Sequence, residues 1–443
     1  MRHRRTGFIL CTILAAYFLL SPAYALLNYS EYASAAPHFL RYVVIPGSLA
    51  LLFLLAGVLA RPKLAMAVGI YGLSALLGLF LFEALLTFRS VPVRLSMLGQ
   101  LDENERQALE QKGYVVAAFT LNQLNRMSNV DSLPQAVLSG FPKTEVVLCA
   151  PDNNAITYRS DRFGFNNPDE VYDRGTIDAM LLGDSFVEGF CLPPGDDIAS
   201  HLRLDRLVAT AAGIRGNGPL VELATLGRFG PILRPDHVLM VFFEGNDWEN
   251  LENELHMPWL RAALDLDANY GSPSDAGDSL HRARTAMGQR NKEPVTVMDL
   301  LTKTELLRNF AALQQTLTRL GLVLPKATPE IPQFRKILHR AKSITNSWGG
   351  TFTLVYVPRV DRFMGALSSR AAFDPLRTLV LDSAVAEGIE VIDLVPPLEA
   401  HPEPEKMYAA DSHFNRDGAA FAADIIAKRL AGPQISKAAS VMH

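Results

Sequence analysis

Hydrophobic positions are spread unevenly along this chain, and the unevenness divides it in two. The first ninety or so residues hold three apolar runs: Gly7–Leu27, Tyr42–Ala60, and a third from Leu64 to about residue 87, uncharged as far as Phe82. A helix rises 1.5 Å per residue, so each run can cross a hydrocarbon core of about 30 Å. A single run of this kind also occurs as a buried core helix. Three in succession, joined by short polar links, read instead as transmembrane helices, so residues 1–88 are expected to form a membrane anchor.

The pattern beyond the third run is that of a water-soluble domain. Residues 89–176 are mixed and polar, with a helical pattern over Glu103–Ser128 and alternation with turn residues over Ala155–Pro168. They read as a neck and lead-in subdomain. From Ile177 onward, short apolar runs recur, each ending in a polar or small-residue turn. Ile177–Leu182 runs into Gly183-Asp184-Ser185, Leu207–Ala212 into Gly213-Ile-Arg-Gly216, and His237–Phe243 into Glu244-Gly245-Asn246-Asp247. Phe352–Val357 and Ile389–Leu394 repeat the pattern before Pro358 and Val395. Buried strands alternating with helices predict an α/β domain with a parallel sheet, over about residues 177–433. Ligands bind such sheets at the C-terminal strand ends, where all these turns fall.

Between Trp248 and about Lys336 the alternation stops. This stretch is helical in pattern and too long for a plain connection. It is expected to be an inserted helical cap beside the site, with a surface decoration as the alternative. Residues 434–443 read as a frayed tail.

Charge orients the anchor. Arg2, Arg4 and Arg5 precede the first span, and Arg61 and Lys63 lie between the second and third, which suits the cytoplasmic side. The link Asn28–Leu40 has Glu31 and no Lys or Arg, so it and everything after Arg89 are expected outside, in the periplasm of a bacterial inner-membrane protein. Met1–Ala25 also has the shape of a signal peptide, with Ala23-Tyr24-Ala25 as a cleavage site. Cleavage would still leave two spans and the same orientation. Glu83, near the outer end of the third span, is expected at the interface. The net charge of the 443-residue chain is −4, with no long basic run after the first five residues, which argues against nucleic acid as a partner.

Of three cysteines, Cys11 lies in the first span and reads as inert. Cys149 and Cys191 fall in the exported part, where an oxidising compartment permits a disulfide, although two free buried thiols are equally consistent. No Cys/His cluster has metal-site spacing and no cofactor motif is present, so no cofactor is expected.

The candidate chemistry begins with Ser185. A serine directly after a buried strand can open a helix with its hydroxyl at the strand end, beside free N–H groups and the positive helix pole. Gly-Asp-Ser alone is equally a turn with a capping serine. A serine nucleophile also needs a base, and His413, in Asp411-Ser-His413-Phe-Asn415, is the histidine with an acid close by, in a loop before a terminal helix. Asp411 could fix its tautomer. Gly216 and Asn246 could donate to an oxyanion, each donor lowering the barrier by about 3 kcal/mol. Singly each reads as an ordinary turn residue; their order at successive strand ends is what gives them weight.

Together, Gly183-Asp184-Ser185, Gly216, Gly245-Asn246-Asp247 and Asp411-Ser-His413 resemble the four blocks of the SGNH (GDSL-like) hydrolase superfamily, in a membrane-anchored bacterial form. The resemblance spans about Ile177–Leu430. It implies a flavodoxin-like three-layer α/β/α sandwich and ester chemistry, with Ser185 as nucleophile, His413 as base and Asp411 as its orienter. It further implies the N–H groups of Ser185 and Gly216 and the Asn246 amide as oxyanion donors. Two positions depart from the family pattern. Phe186 stands where Leu is common, and Asp411 lies two residues before the histidine rather than three.

An esterase acting on acyl, notably acetyl, esters of a cell-surface glycan or exopolysaccharide is the expectation. An O-acetyltransferase using the same residues is the alternative, and it would need a multi-span partner to deliver the acyl group. A lipase or thioesterase acting on a lipid-linked substrate, and a non-catalytic glycan-binding scaffold, are the other readings.

Overall fold

The computed structural model describes residues 2–97, 103–116, 119–151, 154–290, 306–365 and 370–431, which fall into two compact units. The expected tail and residues 291–305 of the insert lie outside these.

One unit combines Met1–Pro92 with Val295–Glu330 and Met364–Pro375. Its frame is three helices, α1 (Arg2–Leu27), α2 (Ile45–Leu59) and α3 (Pro62–Met97). His3–Leu27, Ala36–Leu59 and Pro62–Arg89 are each long and apolar enough to cross a membrane. The helices approach through small residues, as packing between apolar helices requires. A Cβ on Gly7 would come within 2.7 Å of the Met66 backbone nitrogen, and one on Gly57 within 3.0 Å of the Cys11 Cβ. Glu83, expected at the interface, is fully buried and bonded to Gln315 and Thr316. The expected cap is therefore divided. Its residues from Leu306 to Glu330 pack with the apolar helices, because their polar groups find partners there.

The other unit holds a parallel sheet. An antiparallel pair, β1 (Glu145–Cys149) and β2 (Ile156–Arg159), precedes it. The sheet strands are β3 (Ala179–Gly183), β4 (Ala209–Gly213), β5 (His237–Phe243), β6 (Thr351–Val357) and β7 (Glu390–Asp393). Their order is β4-β3-β5-β6-β7, all parallel, which is the flavodoxin-like order.

Successive side chains point to opposite faces of a strand, and each face has its own core. Met180, Leu182, Val238, Met240, Phe242, Leu354 and Tyr356 pack on one side with helices Pro219–Leu233 and Pro332–Asn346. Leu181, Leu239, Val241, Val355 and Val357 pack on the other with helices Ile198–Leu204 and Arg416–Ala431. Both faces are covered, so the strands read as continuous apolar runs rather than alternating ones.

Residues of the expected neck and lead-in subdomain share the core of this unit. Phe119, Leu121, Leu124, Leu138, Phe141, Val146 and Leu148 are buried in the first of these cores. Gly113, at φ +87°, follows helix Glu103–Gln111, and a second helix, Leu121–Met127, carries a Thr120 capping box. The single helical pattern expected over Glu103–Ser128 is thus two short helices.

Candidate active site

Sheet order decides where a site can form. The chain runs from β3 to β4 on one side and then to β5 on the other, so a crevice opens at the C-terminal end of β3. Ser185 stands there as the first residue of helix Ser185–Glu188, behind Asp184, whose carboxylate caps the helix by accepting from the Phe186 N–H at 2.9 Å. Gly183 and Gly213 are paired in register, and a Cβ on either would come within 2.6 Å of Val187. Glycine at two neighbouring strand ends is what lets the short helix settle on the sheet.

His413 reaches the same point from the far end of the chain. Ala409 N–H bonds the His413 carbonyl at 2.8 Å, and Ser412 takes φ +74° between them. Asp411 Oδ1 accepts from the His413 backbone N–H at 3.1 Å. The turn directs the imidazole over the sheet end, with Nε2 2.9 Å from Ser185 Oγ. Asp411 Oδ2 lies 3.3 Å from Nδ1, an ion-pair distance, but Nδ1 makes no hydrogen bond. Burial opposes ionisation of Asp411, yet its contact with His413, the charge of that ring and backbone donors hold its carboxyl below the ordinary value. Phe186 and Phe190 fix the ring from two sides, with centroids 5.2 and 4.8 Å away.

A second acid sits closer to the serine than sequence suggested. Ser185 Oγ donates to Asp184 Oδ2 at 3.2 Å. Asp184 is fully buried, which raises its pKa against hydrogen bonds from Phe186, Ser185 and Asn246 and the charge of His413. The serine carries one hydroxyl hydrogen, so the contacts to Asp184 and His413 compete for it.

Gly216 follows β4 with φ +74°, and a Cβ there would meet Thr120 Cγ2 at 2.7 Å. Both the backbone angle and the lack of room require glycine. Asn246, after β5, precedes helix Asp247–Glu254. Its amide helps hold the Asp184 carboxyl down, and its buried Oδ1 has no partner. The neighbouring Asn217 amide holds the Gly183 carbonyl at 3.3 Å.

Glu222, Asp247 and Glu254 are among the other buried carboxyl groups of this unit. Glu254 accepts from the N–H groups of Gly218, Leu220 and Val221, at 2.6, 3.0 and 3.3 Å, and so caps helix Pro219–Leu233. Burial pushes its carboxyl up to about 8 against those donors. Glu222 has no partner for either oxygen, and Asp247 Oδ1 has none. Burial first, then the charge of Asp184, raises both well above the ordinary carboxyl range.

On the other flank, Cys149 and Cys191 form a disulfide with Cα atoms 5.5 Å apart. Cys191 directly follows Phe190, one of the two rings against His413. The buried Arg215 pairs with Glu188 at 2.7 Å and lies 5.3 Å from the centre of the Phe190 ring.

Neither a family model nor a curated protein matches the chain. Among solved structures it is similar to the lipase/acylhydrolase from Enterococcus faecalis, at 16% identity and a TM-score of 0.32, over 57% of this chain and 94% of that one. A likeness of that size carries no weight for the chemistry, which rests on the site itself.

The five residues expected from sequence all stand in this unit, at or beyond strand ends. Ser185, His413 and Asp411 are in direct contact in series, while Asn246 reaches the serine through Asp184. Asp184, Phe190 and the partnerless Glu222 were not singled out as site residues. Asp184 adjoins the serine and could have been read as its cap; nothing in the sequence marks the other two.

Proposed function

We propose that this chain is a membrane-anchored serine esterase acting on acyl esters, with Ser185 as nucleophile and His413 as general base. The observation that carries the reading is the 2.9 Å contact between His413 Nε2 and Ser185 Oγ at the C-terminal end of β3. That is the distance general-base catalysis needs before reaction begins.

In the first step Ser185 Oγ bonds to the acyl carbonyl carbon as His413 takes the hydroxyl proton. The N–H groups of Ser185 and Gly216 stabilise the oxyanion, joined by the Asn246 amide. Collapse breaks the ester C–O bond, and His413 returns the proton to the leaving alcohol. Water then attacks the acyl carbonyl as His413 takes its proton, and the acid leaves as His413 returns that proton to Ser185 Oγ. A sugar hydroxyl in place of water gives acyl transfer with the same residues. Asp411 stabilises the imidazolium as it forms.

The three apolar helices support anchoring, and the arginines at the start of α1 with Arg61 and Lys63 support a periplasmic catalytic unit in the inner membrane. A tethered enzyme facing outward meets large or lipid-linked substrates at the cell surface, so an acylated, chiefly acetylated, glycan is the substrate class this reading favours.

Labelling with a fluorophosphonate probe tests the nucleophile. The wild type should label and Ser185→Ala should not; label retained in that variant removes Ser185 from the role. Acetate release from an acetylated glycan, with and without an acceptor sugar, separates hydrolysis from transfer.

A further inference from the structure

We infer that residues 306–325 form a further membrane-contact element, seated among lipids at the end of the spans opposite Arg61 and Lys63. The inference rests on the reading that the three apolar helices cross a bilayer.

The first support is how the segment is fastened. Helix Gln314–Leu320 starts at Leu313, at φ +55°, and has no side-chain cap of its own. The fully buried Glu83 carboxylate replaces one, accepting from the Gln315 N–H at 2.9 Å and from the Thr316 N–H and hydroxyl at 2.8 Å each. Tyr17 hydroxyl donates to the Ala311 carbonyl at 3.1 Å, Arg41 to that of Leu322 at 2.9 Å, and Tyr42 to that of Leu324 at 3.0 Å. His38 Nε2 lies 2.7 Å from the Pro325 carbonyl. Side chains of the apolar helices thus satisfy backbone groups of an irregular stretch one by one. Water would do that for a solvated loop; beside lipid the protein must do it.

Depth is the second support. From Lys63 to Glu83 along α3 the helix rises about 30 Å, the thickness of a hydrocarbon core. Glu83 therefore marks the far boundary, and the segment bonded to it lies at that level. Phe310 packs on Phe80 one turn deeper, with ring centroids 5.5 Å apart.

The third support is composition. Leu307 and Leu320 are 66% and 41% exposed. From 306 to 325 the charged residues are Arg308 and Arg319; Lys326, just beyond, pairs with Glu31 at 3.5 Å. Exposed leucines beside cations alone suit the boundary between acyl chains and phosphates.

The test uses the full-length chain in vesicles of phosphatidylcholine and phosphatidylglycerol, in a Cys11→Ser background. A fluorophore is attached at Leu307→Cys or Leu320→Cys and quenched by lipids carrying a nitroxide either near the headgroup or deep in the chain. Leu77→Cys, on the exposed face of α3, and Leu204→Cys, exposed on the catalytic unit, serve as controls. Labels at 307 and 320 should be quenched about twofold more by the shallow nitroxide than by the deep one. The label at 77 should show the reverse and that at 204 neither. Labels at 307 and 320 that behave like 204, while 77 is quenched, overturn the inference and leave the spans standing. Absence of quenching at 77 overturns the spans and the inference with them. Adding Glu83→Gln should reduce quenching at 320 by about half or more, with 77 unchanged; no change at 320 removes Glu83 from the fastening role.

Discussion

His413 Nε2 lies 2.9 Å from Ser185 Oγ across 228 residues of sequence. Four of the five sheet strands lie between them and have to fold before the two meet. Groups that act as one unit lose activity together rather than additively. Ser185→Ala and His413→Ala should each lower kcat/KM for an aryl ester by about 10⁴-fold or more. The double variant should be no worse than the poorer single one. Additive losses in that cycle would mean that the two side chains do not share a step.

Asp411 should matter less than the acid of a fully aligned triad. Its Oδ2 is at ion-pair distance from Nδ1 without a hydrogen bond, while its Oδ1 holds the histidine's backbone N–H. Asp411→Asn keeps the backbone contact and loses the charge. We expect kcat to fall by roughly 10²-fold, well short of the 10⁴-fold loss an aligned acid gives. Asp184→Asn removes the competing acceptor for the serine hydroxyl yet still caps the helix, and should cost less than Asp411→Asn. A loss for Asp411→Asn equal to that of His413→Ala would show that the contact tightens into a full hydrogen bond during turnover.

Gly216 faces two separate obstacles to a side chain, φ +74° and Thr120 Cγ2 at 2.7 Å. Gly216→Ala should destabilise the protein by about 1–3 kcal/mol and displace an oxyanion donor. Thr120→Ser deletes the obstructing methyl and keeps the capping hydroxyl. Combined with Gly216→Ala it should recover part of the lost stability, as read by thermal unfolding. No recovery would place the whole cost on the backbone angle.

The parallel sheet was legible because strands buried on both faces are uniformly apolar and end abruptly in polar turns, as His237–Phe243 does. Strand starts were less so: β3 begins at Ala179 rather than Ile177, since pairing with β4 sets the limit and not hydrophobicity. Ser185, His413 and their neighbours were legible as residue types at strand ends. Two things were not. An amphipathic pattern states that a helix buries one face without naming the surface it meets, so the insert's docking on Glu83 and Arg41 could not be read. Nor could the core role of Phe119 to Leu148, whose irregular spacing follows loops and short helices. The misalignment at Nδ1 depends on a fraction of an ångström in the Asp411–His413 turn, which spacing alone does not encode.

Reducing the disulfide should weaken both fold and catalysis. Cys149 and Cys191 are separated by 42 residues, and closing a loop of that length restricts the unfolded chain by about 4 kcal/mol. Cys191 also anchors Phe190, whose ring packs on His413. Dithiothreitol, or Cys149→Ser with Cys191→Ser, should lower Tm by several degrees and reduce kcat more than KM, because the ring positions the base. An unchanged kcat in a folded double variant would confine the bridge to stability.

Stability should fall as pH rises from about 5 to 8, because Glu222, Asp247 and Glu254 are held neutral by burial. The unfolded carboxyls ionise near 4.3 or below, whereas Glu254 holds its proton up to about 8 in the fold. Between those values the folded state binds more protons than the unfolded one, so raising the pH favours unfolding. The contribution is full below the unfolded value and lost as pH passes the folded one. Asp411, held below its ordinary value, acts oppositely, but only at acidic pH. Glu222 is the sharpest probe, since neither of its oxygens has a partner to lose. Glu222→Gln has nearly the same shape and cannot ionise. It should flatten the decline in Tm between pH 5 and 8, and a variant whose Tm falls as steeply as the wild type would show that Glu222 is already ionised in the fold.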